Sequence, residues 1–558
     1  MTERLRIWLV VGAAAIVYAN TLGNGFVYDD GYYVLGNPAV TGHGLAQIVR
    51  PLSNNVFRPM TVASWAGNWA LGGAKPFGFH LVNVLLHAAV VLLLYRVLRK
   101  LLDASAQAAD MAFVAALLFA VHPIHAEAVG WITGRSELLA AGFLLAAWLL
   151  HLYEQPVGAL LCFALALLAK ESAVVFLPLV VAGDYVRGQF KSWVRYAEIA
   201  AVLALYLGAF WLLEGGGFGE KALSWMDNPL AKLGPGLRIG NALRVAWKYL
   251  ALQVYPATLS SDYSYNAIRL YSNWKYLLPA TVGMAAVLGL WVWAIWKKRS
   301  AWILVGAIYL FGFSVTANIV VPTGTIMGER LAYLPSAGFC LLLALLWIRL
   351  ENASRKVAVS LLGLMVLAFG MRTVARNRDW KDNLTLYSAD VRAVPDSARM
   401  RGLLGQEYLR RGELNLAAAE LQKAIQIFPE YPPAMENYGL AEARLGHDRE
   451  AGELLEKALA LTRKDDSEYS SRAITLAAWL LQHGEDDKAL EILNGVIADS
   501  PGEARAWANR AVIRYRRGEF AAAKEDAETA VRLDAGNRQA RSLLNAMNGA
   551  GAAGEKQN

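Results

Sequence analysis

The side chains able to do chemistry in this 558-residue chain sit at the edges of its apolar runs. Asp29 and Asp30 follow the first run, and Arg58 and Lys75 lie farther along the same connection. His80, Asn83 and His87 share one helix face at i, i+3 and i+7. Then come His122-Pro123-Ile124-His125-Ala126-Glu127, Gly134-Arg135-Ser136-Glu137, Lys170-Glu171 and Gly328-Glu329-Arg330. Charge at membrane depth is costly and needs a reason. A carboxylate pair can supply a general base. Arg58, Arg135, Lys170 and Arg330 together suit a phosphate group, because arginine matches phosphate oxygens bidentately. His122, His125 and Glu127 could hold a divalent metal, although His-x-x-His around a proline is not the one-face spacing of zinc hydrolases. Each feature also has an ordinary reading: solvated loop aspartates, interfacial anchors, and an interhelical hydrogen-bond stripe for His80/Asn83/His87. What argues for one site is that all of them converge on one side of the membrane.

The elements that must position these residues are apolar helices. The chain is 56% hydrophobic and 18% charged, which excludes a disordered chain. Its two cysteines, Cys162 and Cys340, exclude a disulfide scaffold or a cysteine zinc site. Eleven apolar stretches are read, at about 7–19, 79–98, 111–121, 137–151, 157–169, 172–183, 196–213, 276–296, 301–320, 331–348 and 357–371. Several fall short of the roughly 20 residues that cross hydrocarbon, so they must tilt or sit behind neighbours. Residues 1–19 resemble a signal peptide but show no convincing cleavage site, and are read as a retained first span. The net charge of +8 is uneven: residues 1–398 carry an excess of 11 positive charges and the remainder an excess of 3 negative ones. The basic excess therefore reads as membrane topology and not as nucleic-acid affinity. With the amino terminus in the cytoplasm, Arg96/Arg99/Lys100, Arg187/Lys191/Arg195, Lys297/Lys298/Arg299 and Arg349/Arg355/Lys356 all fall on the cytoplasmic side. The long connections 20–78 and 214–275 then face outward, as do the acids, histidines and cations named above. Arg372, Arg376 and Arg378 after the last span run mildly against this orientation. Gly215–Gly219 lacks phosphate-loop spacing and reads as a flexible outer loop.

Beyond a linker at 373–397, residues 398–545 carry a repeat. Gly412, Gly446, Gly484 and Gly518 each stand in a helix-pair turn, at spacings of 34, 38 and 34 residues, and each is followed by an Ala-rich helix. That is the tetratricopeptide pattern, about four units long. Its concave groove predicts a polypeptide partner. Residues 546–558 read as a disordered tail.

With these residues in place, the sequence resembles the transmembrane and tetratricopeptide-repeat O-mannosyltransferases of the GT-C glycosyltransferase superfamily. The matching motifs run in order along nearly the whole chain. They are Phe26-Val27-Tyr28-Asp29-Asp30, Phe57-Arg58-Pro59-Met60-Thr61, Phe79-His80, Val121-His122-Pro123-Ile124-His125-Ala126-Glu127-Ala128-Val129, Gly134-Arg135-Ser136-Glu137, Ala169-Lys170-Glu171 and Gly328-Glu329-Arg330-Leu331-Ala332-Tyr333. Two departures are visible: Tyr28, where the animal members are expected to carry tryptophan, and the short repeat array. The chain looks like a bacterial relative, so mannose and the animal acceptors do not transfer with the motifs.

The resemblance implies an all-α fold: a polytopic GT-C bundle over residues 1–372 with about 11 spans, followed by the repeat solenoid. It implies transfer of a hexose, with inversion, from a polyprenyl-phosphate donor to Ser/Thr hydroxyls of exported proteins. Asp30 or Asp29 would be the base, with Asp30 slightly favoured. Arg330, Arg58, Lys170 and Arg135 would hold the donor phosphate. His122, His125, Glu127, Glu329 and Glu171 would shape the acceptor or phosphate side. The resemblance fixes no cofactor, and a divalent metal stays open. The expected setting is a bacterial inner membrane with site and repeats on the periplasmic side, or the endoplasmic reticulum lumen in a eukaryote. The repeats would hold the acceptor polypeptide. Two rival readings remain: a GT-C transferase acting on a lipid or envelope glycan, and a membrane-anchored repeat scaffold without activity.

Overall fold

The computed structural model describes residues 1–42, 47–49, 52, 56–213 and 224–554, with side chains to 548. The Gly215–Gly219 run lies outside the described residues. The chain divides into two compact units, Met1–Ser397 and Ala398–Asn558.

Among the described residues the first unit contains sixteen α-helices: α1 Glu3–Tyr18, α2 Pro38–Thr41, α3 Pro59–Gly72, α4 Pro76–Leu101, α5 Ala108–Val121, α6 Ala126–Gly130, α7 Arg135–Leu152, α8 Pro156–Ala169, α9 Phe176–Arg187, α10 Trp193–Leu213, α11 Pro235–Val254, α12 Trp274–Trp296, α13 Ser300–Ser314, α14 Ser336–Ala353, α15 Arg355–Asp379 and α16 Asn383–Ala393. Each of the eleven apolar runs contains a helix, although 315–320 is turn and bend and 333–335 is turn. Among the described residues seven helices are long and apolar enough to cross a membrane, or eight if the α5–α6 segment, bent by 52°, counts as one span. The remaining three, α8, α9 and α13, are shorter and pack against α7, α13 and α14. Proline at the first turn starts α4, α8 and α11, where its missing N–H costs nothing. Only 6% of α10 and 17% of α12 is buried, although both are strongly apolar. Apolar faces of that extent, left open, belong against lipid. The chain is a multi-pass membrane protein.

The core is built around α5. It is apolar on all sides, and Met111, Val114, Leu118 and Phe119 are buried among α1, α4, α14 and α15. At its end, His122 takes an extended conformation, and its Nδ1 accepts the Ile124 N–H at 3.2 Å. This cap and Pro123 break the span and turn the segment 122–134 back into the bundle.

Helices alternate in direction, so their ends sort into two sets. At one end, Glu3 pairs with Arg99, Arg6 with Asp110, Lys191 with Glu154 at 2.7 Å, and His151 lies 2.9 Å from Asp184. Arg187, Arg299 and Arg349 line one cavity at this same end. The four basic clusters therefore gather together. Asp30, Arg58, His80, His122–Glu137, Lys170–Glu171 and Glu329–Ser336 lie at the opposite end. Two of the three arginines near the end of the last span, Arg372 and Arg376, are bound up in tertiary structure, while Arg378 is exposed. Arg372 donates to the carbonyls of Pro256 and Ala257 at 3.0 Å each. Arg376, fully buried, donates to Asp390 at 3.0 Å and Asp379 at 3.1 Å. Asp390 in turn accepts from Ser261. Arg372 and Arg376 thus pin the second long connection to α15 and α16.

The second unit is four helix pairs, Ala398–Arg411 with Leu414–Ile427, Pro432–Leu445 with Asp448–Ala460, Tyr469–Gln482 with Asp486–Asp499 and Ala504–Arg516 with Phe520–Leu533, closed by Arg538–Gly554. The last helix runs through residues 546–554, where a disordered tail was expected; 555–558 lie outside the described residues. Gly412, Gly446, Gly484 and Gly518 all have φ between 78° and 87°, the left-handed conformation each turn needs. Paired helices approach closely at small residues. A Cβ on Gly405 would meet Leu421 Cγ at 2.5 Å and the Ala417 carbonyl oxygen at 3.2 Å. Gly405→Ala is therefore expected to cost about 1–3 kcal/mol of repeat stability, read as a lowered unfolding midpoint in circular dichroism.

Candidate functional site

The first connection brings the acidic pair to the polar end of the bundle. Tyr28 has φ 55°, a left-handed position uncommon for a bulky residue. Its N–H donates to Asn383 Oδ1 at 2.9 Å, at the start of α16. The turn sends the two following carboxylates into different environments. Asp30 is fully buried. Its Oδ2 accepts the Val27 N–H at 3.0 Å, and its Oδ1 accepts the Thr133 N–H at 2.9 Å and hydroxyl at 2.7 Å. Burial pushes its carboxyl up to about 7, against the pull of those three donors. Asp30 thus ties the first connection to the turn after α6. Asp29 is half-buried beside it.

The basic residues come in pairs with acids. Arg330 contacts Glu127 through Nη1, and its backbone N–H donates to Glu127 Oε2 at 2.8 Å. Lys170 pairs with Glu137, both nearly buried. Arg58 makes a two-point contact with Glu171 at 3.1 and 2.7 Å. Arg58, Lys170 and Arg330 lie within electrostatic reach of one another. Three cations therefore sit in one cluster, neutralised by Glu127, Glu137 and Glu171. The Arg330 side chain keeps 24% of its surface exposed. Trp131 links this cluster to the acidic pair. The Arg330 guanidinium lies 5.3 Å from the indole centroid, and the Tyr28 ring centroid lies 5.7 Å from the same indole. The turn that carries Trp131 is tight: a Cβ on Gly134 would come within 2.6 Å of the Ala128 carbonyl oxygen.

Four nominated residues are engaged elsewhere. Arg135 is fully buried and donates to Asn83 Oδ1 at 2.8 Å, the Ser64 carbonyl at 3.1 Å and the Phe79 carbonyl at 2.8 Å. It locks α3, α4 and α7 together, and its donors are spent on that. His122 Nε2 donates to the Gln253 carbonyl at 3.0 Å. His125 Nε2 donates to Ser336 Oγ at 2.7 Å, since that hydroxyl itself donates to the Tyr333 carbonyl. Among the described residues no group of three His, Cys, Asp or Glu could hold a metal ion. His80, Asn83 and His87 form an interhelical hydrogen-bond stripe, to the Gly25 carbonyl, the Val129 and Trp131 carbonyls, and Tyr333 with the Ala120 carbonyl.

Glu329 is the fourth. Its Oε1 accepts the Ser260 N–H at 2.6 Å and the Tyr263 hydroxyl at 2.7 Å, while Oε2 is buried without a partner. Burial raises its carboxyl to about 8. A carboxyl whose folded pKa exceeds the unfolded value takes up a proton on folding. Its contribution to stability therefore falls as pH rises between about 4.5 and about 8. Glu329→Gln, which keeps the accepting oxygen, is expected to flatten that fall in thermal unfolding midpoints. An unchanged pH profile would contradict it.

Several contributors carry no motif of their own. Tyr249 on α11 both donates to the Gly328 carbonyl and accepts the Gly328 N–H, each at 2.9 Å, and so fixes the Glu329–Arg330 turn. Ser260, Ser261 and Tyr263 fasten the second connection. The signal available was the unbroken polar run Ser260–Ser264.

Fold and site together define a polytopic membrane protein with a cluster of paired charges at one end of its bundle and a tetratricopeptide-repeat domain after it. The tetratricopeptide-repeat family matches residues 398–431 and 504–537. The curated relatives of this chain are protein O-mannosyl-transferases, as the motif resemblance implied. Protein O-mannosyl-transferase F38B6.6 of Caenorhabditis elegans is 30% identical over 442 residues, covering 76% of this chain and 63% of that protein. Human protein O-mannosyl-transferase TMTC3 is 27% identical over 601 residues, covering 95% and 64%. Drosophila melanogaster Tmtc1 is 28% identical over 523 residues, covering 74% and 60%. The chain thus spans somewhat under two thirds of the length of these relatives. Among solved structures, the crystal structure of MamA is 23% identical over 27% of this chain and 86% of that one, with a TM-score of 0.24.

Proposed function

We propose that this protein is a membrane O-glycosyltransferase. It moves a hexose, mannose or another, from a polyprenyl-phosphate donor to Ser/Thr hydroxyls of exported polypeptides. The observation that carries this reading is the meeting at Trp131 of the Tyr28–Asp29 turn with Arg330, beside Arg58 and Lys170. The names of the relatives support the reaction class.

In this mechanism the acceptor hydroxyl oxygen attacks the anomeric carbon, and its proton passes to the Asp29 carboxylate. The bond from that carbon to the phosphate oxygen breaks, and its electron pair leaves on the lipid phosphate. Arg330, Arg58 and Lys170 stabilise the charge that develops there. Attack opposite a departing phosphate inverts the anomeric centre. We assign the base role to Asp29 in preference to Asp30, whose two oxygens both accept hydrogen bonds in a fully buried site. Arg135, His122, His125 and Glu329 shape the site without touching the reacting atoms. The repeats recruit the acceptor polypeptide. The site and repeats face the periplasm, or the lumen in a eukaryote, because the gathered basic clusters mark the other end as cytoplasmic.

Intact-mass analysis of exported proteins from cells with and without the gene tests this. A hexose-sized loss on Ser/Thr-rich segments is the expected result. Sugar missing from lipid or envelope glycan alone would support the lipid-acceptor reading instead.

A further inference from the structure

The end of the membrane unit remote from the candidate site has a second cavity, of about 670 Å³. Arg187, Arg299 and Arg349 line it, together with Ser105, Gln107 and Asn352. Asp103 is its single lining carboxylate. It lies 3.7 Å from Arg187 Nη2 and 3.7 Å from Lys100 Nζ, too far to hydrogen-bond either. The Arg187 side chain is 8% exposed, and its buried Nε–H has no acceptor. A buried guanidinium donor left without a partner is costly, and an anion entering the cavity would satisfy it. Topology alone asks only for basic residues near the surface. It does not ask for a walled cavity with three arginines from three separate connections.

Trp302 joins this cavity to another. Arg349 lies over its ring at 5.3 Å. Trp302 also lines an apolar cavity of about 150 Å³ between α12, α13 and α14, walled by Met284, Leu290, Trp291, Val305 and Leu342. A cationic chamber opening beside an apolar one suits an amphiphile with an anionic head. Arginine-rich pockets between helices recognise phosphate headgroups in this way.

We propose that the Arg187–Arg299–Arg349 cavity binds the phosphate of a membrane lipid, whose first methylenes lie in the apolar cavity beyond Trp302. Anionic glycerophospholipids and polyprenyl phosphates share this chemistry. The site is separate from the catalytic cluster, and the proposal stands whether or not the transferase reading does.

The test uses the full chain, purified in detergent and stripped of lipid. It is titrated with phosphatidylglycerol, phosphatidylcholine, a polyprenyl phosphate and inorganic phosphate. Bound lipid is read by native mass spectrometry, and stabilisation by the thermal unfolding midpoint. Phosphatidylglycerol, the polyprenyl phosphate or both are expected to bind and stabilise; because the proposed donor site also takes polyprenyl phosphate, the source is the lipid whose binding falls more in the Arg299→Gln/Arg349→Gln variant. Phosphatidylcholine and inorganic phosphate are expected to do neither. Arg299→Gln/Arg349→Gln should weaken binding by about tenfold or more. Both arginines are exposed, so the fold should survive, as circular dichroism would show. The control Lys297→Gln/Lys298→Gln removes equal charge from the connection that carries Arg299 and should bind as the parent does. Equal weakening in both variants would reduce the effect to surface charge and overturn the site. So would equal binding of phosphatidylcholine, binding of inorganic phosphate as strong as that of the lipids, or no binding at all.

Discussion

Asp29→Asn is expected to lower sugar transfer by about 10²–10⁴-fold, the range supplied by a positioned general base, and to leave folding unchanged. Its side chain is half-buried on a turn, and an amide is nearly isosteric with the carboxylate. Asp30→Asn is expected to do the reverse. The Asp30 carboxylate accepts from Val27 N–H, Thr133 N–H and the Thr133 hydroxyl. An amide has one accepting oxygen, so its NH₂ must face at least one of those donors inside the core. The cost is about 1–3 kcal/mol of stability, seen as a lower unfolding midpoint, while a properly folded fraction keeps its turnover. The measurement is single-turnover transfer from a polyprenyl-phosphate sugar to a Ser/Thr peptide, paired with thermal unfolding of the same preparations. If Asp30→Asn abolished turnover at unchanged stability, and Asp29→Asn did not, the assignment would be reversed.

The different surroundings of these neighbours, Asp30 buried and Asp29 half-buried, illustrate what a sequence can and cannot carry. Apolar runs and turn glycines are local signals, so all eleven helical runs and the four left-handed turns at Gly412, Gly446, Gly484 and Gly518 were legible. The amphipathic α11 was hidden inside a connection read as loop, because its apolar face is matched by polar residues. The ion pairs join residues far apart in the chain: Glu127 with Arg330 and Arg58 with Glu171 are separated by 203 and 113 positions. Motif order named these groups without telling which acid neutralises which base. Arg135 and Arg330 carry the same side chain in equally suggestive motifs. Only packing shows that the first is consumed by Asn83 and two carbonyls while the second keeps an open face. Arg372 and Arg376 looked like contrary topological signals because charge counting cannot see that Pro256, Ala257 and Asp390 absorb them.

Under the proposed mechanism Arg330 is the cation that meets the acidic turn at Trp131, and Arg330→Gln is expected to reduce the transfer rate by about 10²–10³-fold, as loss of one preset charge-stabilising donor does. The single variant is ambiguous, since it leaves Glu127 buried without its counter-ion, and breaking a buried pair costs about 3–5 kcal/mol. The double variant Arg330→Gln/Glu127→Gln removes both charges and restores a neutral hydrogen-bonding pair. It is expected to recover stability and not turnover. Arg330→Lys keeps the charge without the planar fork and should fall between the parent and Arg330→Gln. The separation lies between two readouts: unfolding midpoints should follow the Glu127–Arg330 pairing, and single-turnover rates should follow the presence of a cation at 330. Recovery of transfer in the double variant would make Arg330 a counter-ion to Glu127 and nothing more. The phosphate-stabilising role would then rest on Arg58 and Lys170, whose partners Glu171 and Glu137 can be neutralised in the same paired fashion.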